Sequence, residues 1–508
     1  MARVDNLRAP GRDDLRAPPR DDLRAPPRDP IRAPPPDPVR APGRDAEYRR
    51  RTRNKTAARR VETIQCGMGD VDGDRPMEHD AGLRPGQYLL TFRAPAAWLV
   101  GASMLLGGCA STLFAQPEGT LNETSYDALY PWYAEFCAVS EISKKPGFGA
   151  EIVPGGPGGH SILYLNGVCR DKDAHYPVAT LCGPGDPKPG QGVGLSVNDH
   201  YANANWIATE GRDFVMHGDL APGEPVTKAT YLRTQAKARA MGILDGVVFH
   251  KEVFDTQPAN MSKIDFMYDM SIATDYAVNL GRDRYCARVP LNRDKMARVV
   301  TYLNAVNEPY RTGREVFNWN VLKDNCTHLA HNVLAVAGVW DEWKTDMPFI
   351  FAMFDFPVPK NEFVNLMRRT NDLPVADPDA LYDDPAARAA ILANGALPAG
   401  PGSLAEAERA IQPNDVYNTK LRLIFYDEPT FGHYQRHFEQ IFSDPRYTDL
   451  RANMSHFERL YATILAHPKI AGGARGAFYA RYYQAIANEK RRLDVALSLS
   501  PAAPGQRS

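Results

Sequence analysis

The chain has 508 residues, 44% hydrophobic and 24% charged, with a formal net charge of −1. That is the composition of a globular protein, and a near-neutral balance lacks the basic excess used in nucleic-acid binding. Length alone allows several domains, but the first ninety-odd residues do not read as folded chain.

Residues 7–46 repeat an eight-residue unit five times, from LRAPGRDD to VRAPGRDA. Arg, Pro and Asp dominate the unit, and such a segment buries too little apolar surface to fold. Residues 1–92 are therefore expected to be a disordered arm. It is either an interaction arm or a tandem repeat translated from upstream of the true start. Residues 93–111 read RAPAAWLVGASMLLGGCAS. The apolar run is too short to span a bilayer and suits the core of a signal peptide, with a small buried helix as the alternative. Leu106-Gly107-Gly108-Cys109 resembles the lipobox of bacterial lipoprotein precursors. That resemblance implies a signal beginning near Met77, segment 93–109 as its end, and lipid on Cys109 as the first mature residue. Ala110, standing where Asp would retain such a protein, implies an outer-membrane lipoprotein facing the periplasm. The acyl chains would supply its membrane attachment.

Residues 110–155 form a lead-in with aromatic helix signals (YDALYPWYAEFCAVSEI), closing on VPGGPGG. HSILYL, Asn166-Gly167 and VCRD then read as a hairpin, because Asn-Gly between β-type runs favours a two-residue turn. In that register His160 lies opposite Asp173, with Asp171 one diagonal away. QGVGLSV, NWIATEG and DFVMHG read as further strands, and YAVNLGRDRYCARVPL as another strand pair. TKATYLRTQAKARAMGI and NRDKMARVVTYLNAVNEPY have helical spacing.

Residues 323–340, KDNCTHLAHNVLAVAGVW, read as a helix start. Asp324 or Asn325 is the N-cap, Leu329, Val333, Val336 and Ala337 share a face, and Gly338 closes the helix. Residues 341–508 are mostly helical (PAARAAILANG, GSLAEAERAIQ, FERLYATILAH, FYARYYQAIANEKRRLDVAL) with Pro-rich joints. Lys490-Arg491-Arg492 reads as a solvated helix face. The expected fold class is thus α+β: an antiparallel sheet and a Cys-bearing helix within 156–340, followed by the helical region 341–508.

Seven cysteines are present. With Cys66 in the arm and Cys109 lipidated, Cys137, Cys169, Cys182, Cys286 and Cys326 remain, an odd number in an oxidising compartment. Cys169 with Cys182 is a reasonable local bridge, and Cys137 with Cys286 is what is left, although connectivity is not readable from sequence. Cys326 is the expected free thiol. It sits in the first turn of a helix, where unpaired N–H groups and the dipole favour an anion such as a thiolate. A nucleophilic thiol needs a histidine base and a group that orients the ring. Among twelve histidines, His160 opens a strand directly after GGPGG, and Asp173 or Asp171 would be its orienting carboxylate.

Gly-His opening a strand, a polar residue on the next strand and, much later, Asn-Cys opening a helix resemble the circularly permuted papain-like proteins. These belong to the NlpC superfamily and include the lecithin:retinol acyltransferase-like branch. The resemblance spans about residues 155–340. It implies a permuted papain-like core, with Cys326 as nucleophile, His160 as base and Asp173 or Asp171 in the third position, often His in the family. The implied chemistry is acyl-group hydrolysis or transfer without a cofactor, by an amidase, peptidase or thioesterase acting on peptidoglycan, protein or lipid in the cell envelope. Two other readings stand beside it. Cys326, His328 and His331 form a candidate metal cluster, with His200 or His217 completing it or serving as alternative base. A non-catalytic binding or scaffolding module on the same fold is the other. VPGGPGGH lacks the ending of a phosphate loop, so nucleotide and nucleic-acid roles have no motif.

Overall fold

Tyr133–Val139 is a strand buried along its whole length, the burial of a strand covered on both faces. It is β1, near the middle of a sheet that the rest of the chain builds outward. In this computed structural model, residues 123–148, 159–321, 324–344, 358–419 and 434–499 are described. The repeat arm, the lipobox and Cys109 lie outside them.

The strands that follow are β2 (His160–Asn166), β3 (Val168–Arg170), β4 (Ala179–Leu181), β5 (Gly192–Ser196), β6 (Ile207–Glu210), β7 (Arg284–Pro290) and β8 (Leu404–Glu408). Six of them form one sheet in the order β6-β5-β2-β1-β7-β8, and β3 pairs with β4 apart from it. Every neighbouring pair is antiparallel. The protein is α+β, with an antiparallel six-stranded sheet and a mostly helical C-terminal region.

The helices are α1 (Glu123–Leu129), α2 (Arg212–His217), α3 (Lys228–Ala240), α4 (Lys263–Ser271), α5 (Arg293–Arg311) and α6 (Cys326–Val336). Then come α7 (Pro359–Asn371), α8 (Pro378–Asp383), α9 (Pro385–Asn394), α10 (Tyr434–Ser443), α11 (Leu450–Ala466) and α12 (Gly473–Leu499). No helix among the described residues is long and apolar enough to cross a membrane.

Alternation along the strands sorts side chains to two faces. Ala134, Phe136, Leu163 and Leu165 join Val299 and Leu303 of α5, Leu329 and Val333 of α6, and Phe363 of α7 in one apolar core. The other face carries Tyr133, Glu135, Cys137 and their cross-strand partners Arg288 and Cys286. There Arg212 grips Glu135 with two hydrogen bonds of 2.7 and 2.9 Å. Arg288 and Arg212 both reach Glu406 at 3.0 Å, and Arg284 reaches Glu406 at 3.2 Å and also Glu408. Burial opposes ionisation of Glu135, but Arg212, Arg288 and Arg284 outweigh it and hold its carboxyl well below the usual range. Cys137–Cys286 and Cys169–Cys182 are disulfides and Cys326 is free, the pairing expected.

Several elements differ from the sequence reading. The expected borders at 155 and 340 do not separate the sheet, since β1 comes from the lead-in and β8 from the helical region. Residues 402–412, expected as helix, contain β8, where Leu404, Glu406 and Glu408 alternate with Ala405 and Ala407. DFVMHG forms most of α2 rather than a strand; a short apolar run does not distinguish the two by periodicity. YAVNLGRDRYCARVPL gives a 3-10 turn at Val278–Leu280 and only one strand, β7.

The Asn166-Gly167 hairpin does not form. β2 has β1 on one edge and β5 on the other, so β3 has no edge left to join. Gly167 is required for another reason. It has φ +99°, and a Cβ there would stand 2.4 Å from the Trp132 ring.

Candidate active site

Asn325 is the N-cap of α6. Its side-chain oxygen accepts from the Thr327 and His328 amides at 2.8 and 3.1 Å, and its Nδ2 donates to the Val321 carbonyl at 2.7 Å. Two of the four amides that a helix start leaves without partners are thereby used. Cys326 follows at the first helical position, half-buried against the core, with a free thiol. At the other end Gly338 follows the C-cap residue Ala337. Asp324, the other candidate cap, instead accepts from Asn205 Nδ2 at 3.0 Å, and burial pushes its carboxyl up to about 6.

β2 brings His160 to the same neighbourhood. The next residue, Ser161, has its Oγ 3.4 Å from Oγ1 of Thr327, the residue after Cys326. The strand start and the helix start are therefore stitched together by side chains one residue beyond each candidate. Strand alternation turns the His160 ring to the opposite side of β2 from Ser161. On that side His160 Nε2 lies 3.2 Å from Ser196 Oγ on β5, and Ser196 donates to Asp275 Oδ1 at 2.6 Å. Because the serine proton goes to Asp275, its oxygen accepts from Nε2–H, leaving the basic lone pair on Nδ1. Among the described residues no hydrogen bond joins Cys326 to His160.

Arg282 links the two candidates electrostatically. Its guanidinium is buried and donates to the Ala273 carbonyl at 2.8 Å and the Ser140 carbonyl at 2.6 Å. Burial, and then the Arg282 charge, push His160 down to about 3, so the ring is neutral at pH 7. Burial also pulls Arg282 down to about 10, while Tyr417, Asp275 and Cys326 help retain its charge. Asp275 is fully buried; burial raises its carboxyl and the Ser196 hydrogen bond partly offsets this. It lies between Ala273 and Ala277, both at positive φ (61° and 55°). Such backbone in non-glycine residues costs on the order of 1 kcal/mol each and persists only where the surroundings enforce it. Here Arg282 holds the Ala273 carbonyl.

The structure does not bring Asp173 or Asp171 to His160. Asp173 is exposed and its amide donates to Asp171 Oδ1 at 3.0 Å. The register that paired it with His160 is lost because β3 belongs to the other sheet. Ser196 and Asp275 occupy the orienting position instead. Sequence reasoning missed both: Ser196 ends an ordinary apolar strand, and Asp275 stands in an irregular loop without a motif.

The metal cluster is also not assembled. His331 is stacked between Trp340 and Trp343, at 4.3 and 3.7 Å between ring centroids. Its Nδ1 meets Glu362 at 2.6 Å and its Nε2 meets the Asp341 carbonyl at 2.9 Å, so neither nitrogen is open to a metal. His328 packs against Trp343, and burial, then His331, push it down to about 4. His200 stacks on Phe249, and His217 is bonded to Glu408 at 3.0 Å. Among the described residues the grouping with metal-ligand spacing is Glu135 with Cys137 and Cys286, whose sulfurs are already joined.

The chain matches no family model, no curated protein and no solved structure.

Proposed function

We propose that the protein is a cysteine hydrolase or acyltransferase of the permuted papain-like kind, carried on a lipid-anchored envelope protein. The observation that carries this reading is the Ser161–Thr327 contact, which sets the Gly-His strand start against the Asn-Cys helix start. In the reaction the His160 ring, which faces Ser196 in the resting structure, turns toward the helix start. Its Nδ1 then takes the Cys326 proton as Sγ attacks an acyl carbonyl. The Cys326 N–H at the helix start donates to the oxyanion. The same proton then passes to the leaving amine, alcohol or thiol, giving a thioester on Cys326. Attack by water, with its proton taken by His160, releases the acid and restores the thiol. Attack by an amine or alcohol transfers the acyl group. Arg282 supplies a fixed positive charge beside Cys326, and His160, neutral at pH 7, takes the thiol proton only in concert with attack on the carbonyl.

The test is alkylation of Cys326 by iodoacetamide at pH 7, followed by mass spectrometry, together with hydrolysis of a panel of amides and thioesters. His160→Ala should slow both by about a hundredfold or more, and Cys326→Ala should abolish turnover. Alkylation indifferent to His160, with no turnover of any substrate, would sink the proposal. A binding module on the same fold is the second reading, favoured by the His160 ring facing Ser196 with no hydrogen bond to Cys326.

A further inference from the structure

A cavity of about 540 Å³ lies where the C-terminal helix α12 meets the start of α5. Its walls include Pro290 at the end of β7 and Gly338 beyond the end of α6. The candidate site lies by the first residues of β2 and α6, at the Arg284 end of β7, since Val139 pairs with both His160 and Arg284. The length of β7 separates the two places by roughly 20 Å, so the cavity is no part of the Cys326 neighbourhood.

Three features of its lining are chemically unfinished or selective. Tyr461 is fully buried and its hydroxyl has no hydrogen-bond partner among the described residues. A buried hydroxyl left unpaired costs roughly 1–3 kcal/mol, and an acceptor inside the cavity would remove that cost. Lys295 is half-buried, and its Nζ has no carboxylate within ion-pair distance among the described residues. Burial lowers its pKa, and Arg298 adds to the effect, so an anion beside it would be welcome. Glu489, by contrast, is already matched by Arg492 at 2.8 Å. Its carboxyl is raised by burial, and a second negative charge beside it is disfavoured. Leu291, Leu397 and Leu493 give the cavity an apolar side, while Asn292, Thr370 and Ser403 add polar groups to its lining.

We infer that this cavity binds an acyl carboxylate, the anion of a fatty acid of medium length. One carboxylate oxygen would accept from Lys295 and the other from the Tyr461 hydroxyl, with the chain against the leucines. Lys295, as the lining cation without a carboxylate partner among the described residues, suits a monoanion rather than a phosphate dianion, for which Glu489 is a penalty. The volume falls in the range of small-molecule sites, roughly 300–1,000 Å³. The inference stands apart from the acyl-transfer reading, because it uses no residue of that site.

The experiment is calorimetric titration of the full chain with decanoate, beside decanol and decyl phosphate. Decanoate should bind more tightly than either. Lys295→Met should weaken it about tenfold and Tyr461→Phe about threefold, the loss of the ion pair and of the hydroxyl's hydrogen bond to the carboxylate. Lys295→Arg should restore binding, and Ala396→Trp at the rim should block it. Cys326→Ala should leave it unchanged. Equal binding of decanol, or binding indifferent to both Lys295→Met and Ala396→Trp, would overturn the site, as would no heat with decanoate at all. Tighter binding of decyl phosphate would overturn the choice of a carboxylate.

Discussion

Two buried arginine neighbourhoods lie in this sheet and are built on opposite plans. Arg284 and Arg288 on β7, joined by Arg212 from α2, face Glu135 on β1 and Glu406 and Glu408 on β8, charge against charge, the strand register setting the β1, β7 and β8 partners side by side. Arg282, two residues before β7, is just as buried but is held by two backbone carbonyls, with no carboxylate at ion-pair distance among the described residues. Where every charge is matched, the field is spent locally and the cluster is architecture. Where only carbonyl dipoles meet the guanidinium, its field extends to His160 and Cys326. Pairing thus separates the arginines matched by carboxylates from the one whose field reaches the candidate site.

Breaking the matched cluster should have the largest effect. Glu135→Ala would leave the buried Arg212, Arg284 and Arg288 with one carboxylate fewer, Arg212 and Arg288 sharing Glu406 alone, a loss of about 3–5 kcal/mol in urea unfolding. The unmatched neighbourhood should respond differently. Arg282→Met orphans no carboxylate, so stability should fall by no more than about 1–3 kcal/mol. Alkylation of Cys326 at pH 7 should nevertheless slow measurably, because the Arg282 charge reaches Cys326. A stability loss as large as that of Glu135→Ala, with unchanged alkylation, would erase the distinction.

Ser196→Ala sharpens it further. Without the serine acceptor the His160 ring loses its preference for Nε2–H, visible in its nitrogen chemical shifts. Thiol alkylation should fall severalfold to about tenfold while the fold is kept.

Acid gives a smaller, graded effect. His160 and His328 lie near 3 and 4 in the folded chain, against about 6.5 when unfolded. The unfolded chain therefore binds more protons as pH falls through 6.5, and each ring withdraws up to about 1.4 kcal/mol per pH unit. Asp324, raised to about 6, works the other way between roughly pH 4 and 6. Asp275 and Glu489, whose carboxyls burial also raises, act on the same side as Asp324 and oppose the two rings as pH falls. His328→Phe should make stability flatter between pH 6 and 4, a prediction that fails if its urea midpoint falls as steeply as in the wild type. Asp173→Ala should change neither stability nor alkylation, since its side chain is exposed and away from His160.

What was legible in the sequence was local. The Asn325 cap, the Cys326 position, the α6 face, the opening of β2 and the α+β class each follow from spacing within a few residues. Counting cysteines suggested a local Cys169–Cys182 bridge and left Cys137 with Cys286, without fixing the connectivity. Long-range partners were not legible. Asp275 reaches His160 through Ser196 across a sheet order that no short window encodes, and its loop is shaped by Arg282 rather than by its own residues. β8 was hidden for a different reason. Ala and Glu are good helix formers, and the alternation that puts Glu406 and Glu408 toward the arginines is meaningful only once β7 offers an edge. The Asn-Gly turn misled because β5, not β3, took the free edge of β2.

The contact between Ser161 and Thr327 joins residues 166 apart in the chain, and the sheet carrying the strand is closed by β8, later still. In folding terms this is a site of high contact order, whose loop-closure entropy must be met before any contact in it is rewarded. Its parts should assemble late and together, so a growing chain would carry Cys326 as an ordinary thiol. Reactivity would then switch on with completion of the fold, making the rate of Cys326 alkylation during refolding a clock for the last event rather than the first.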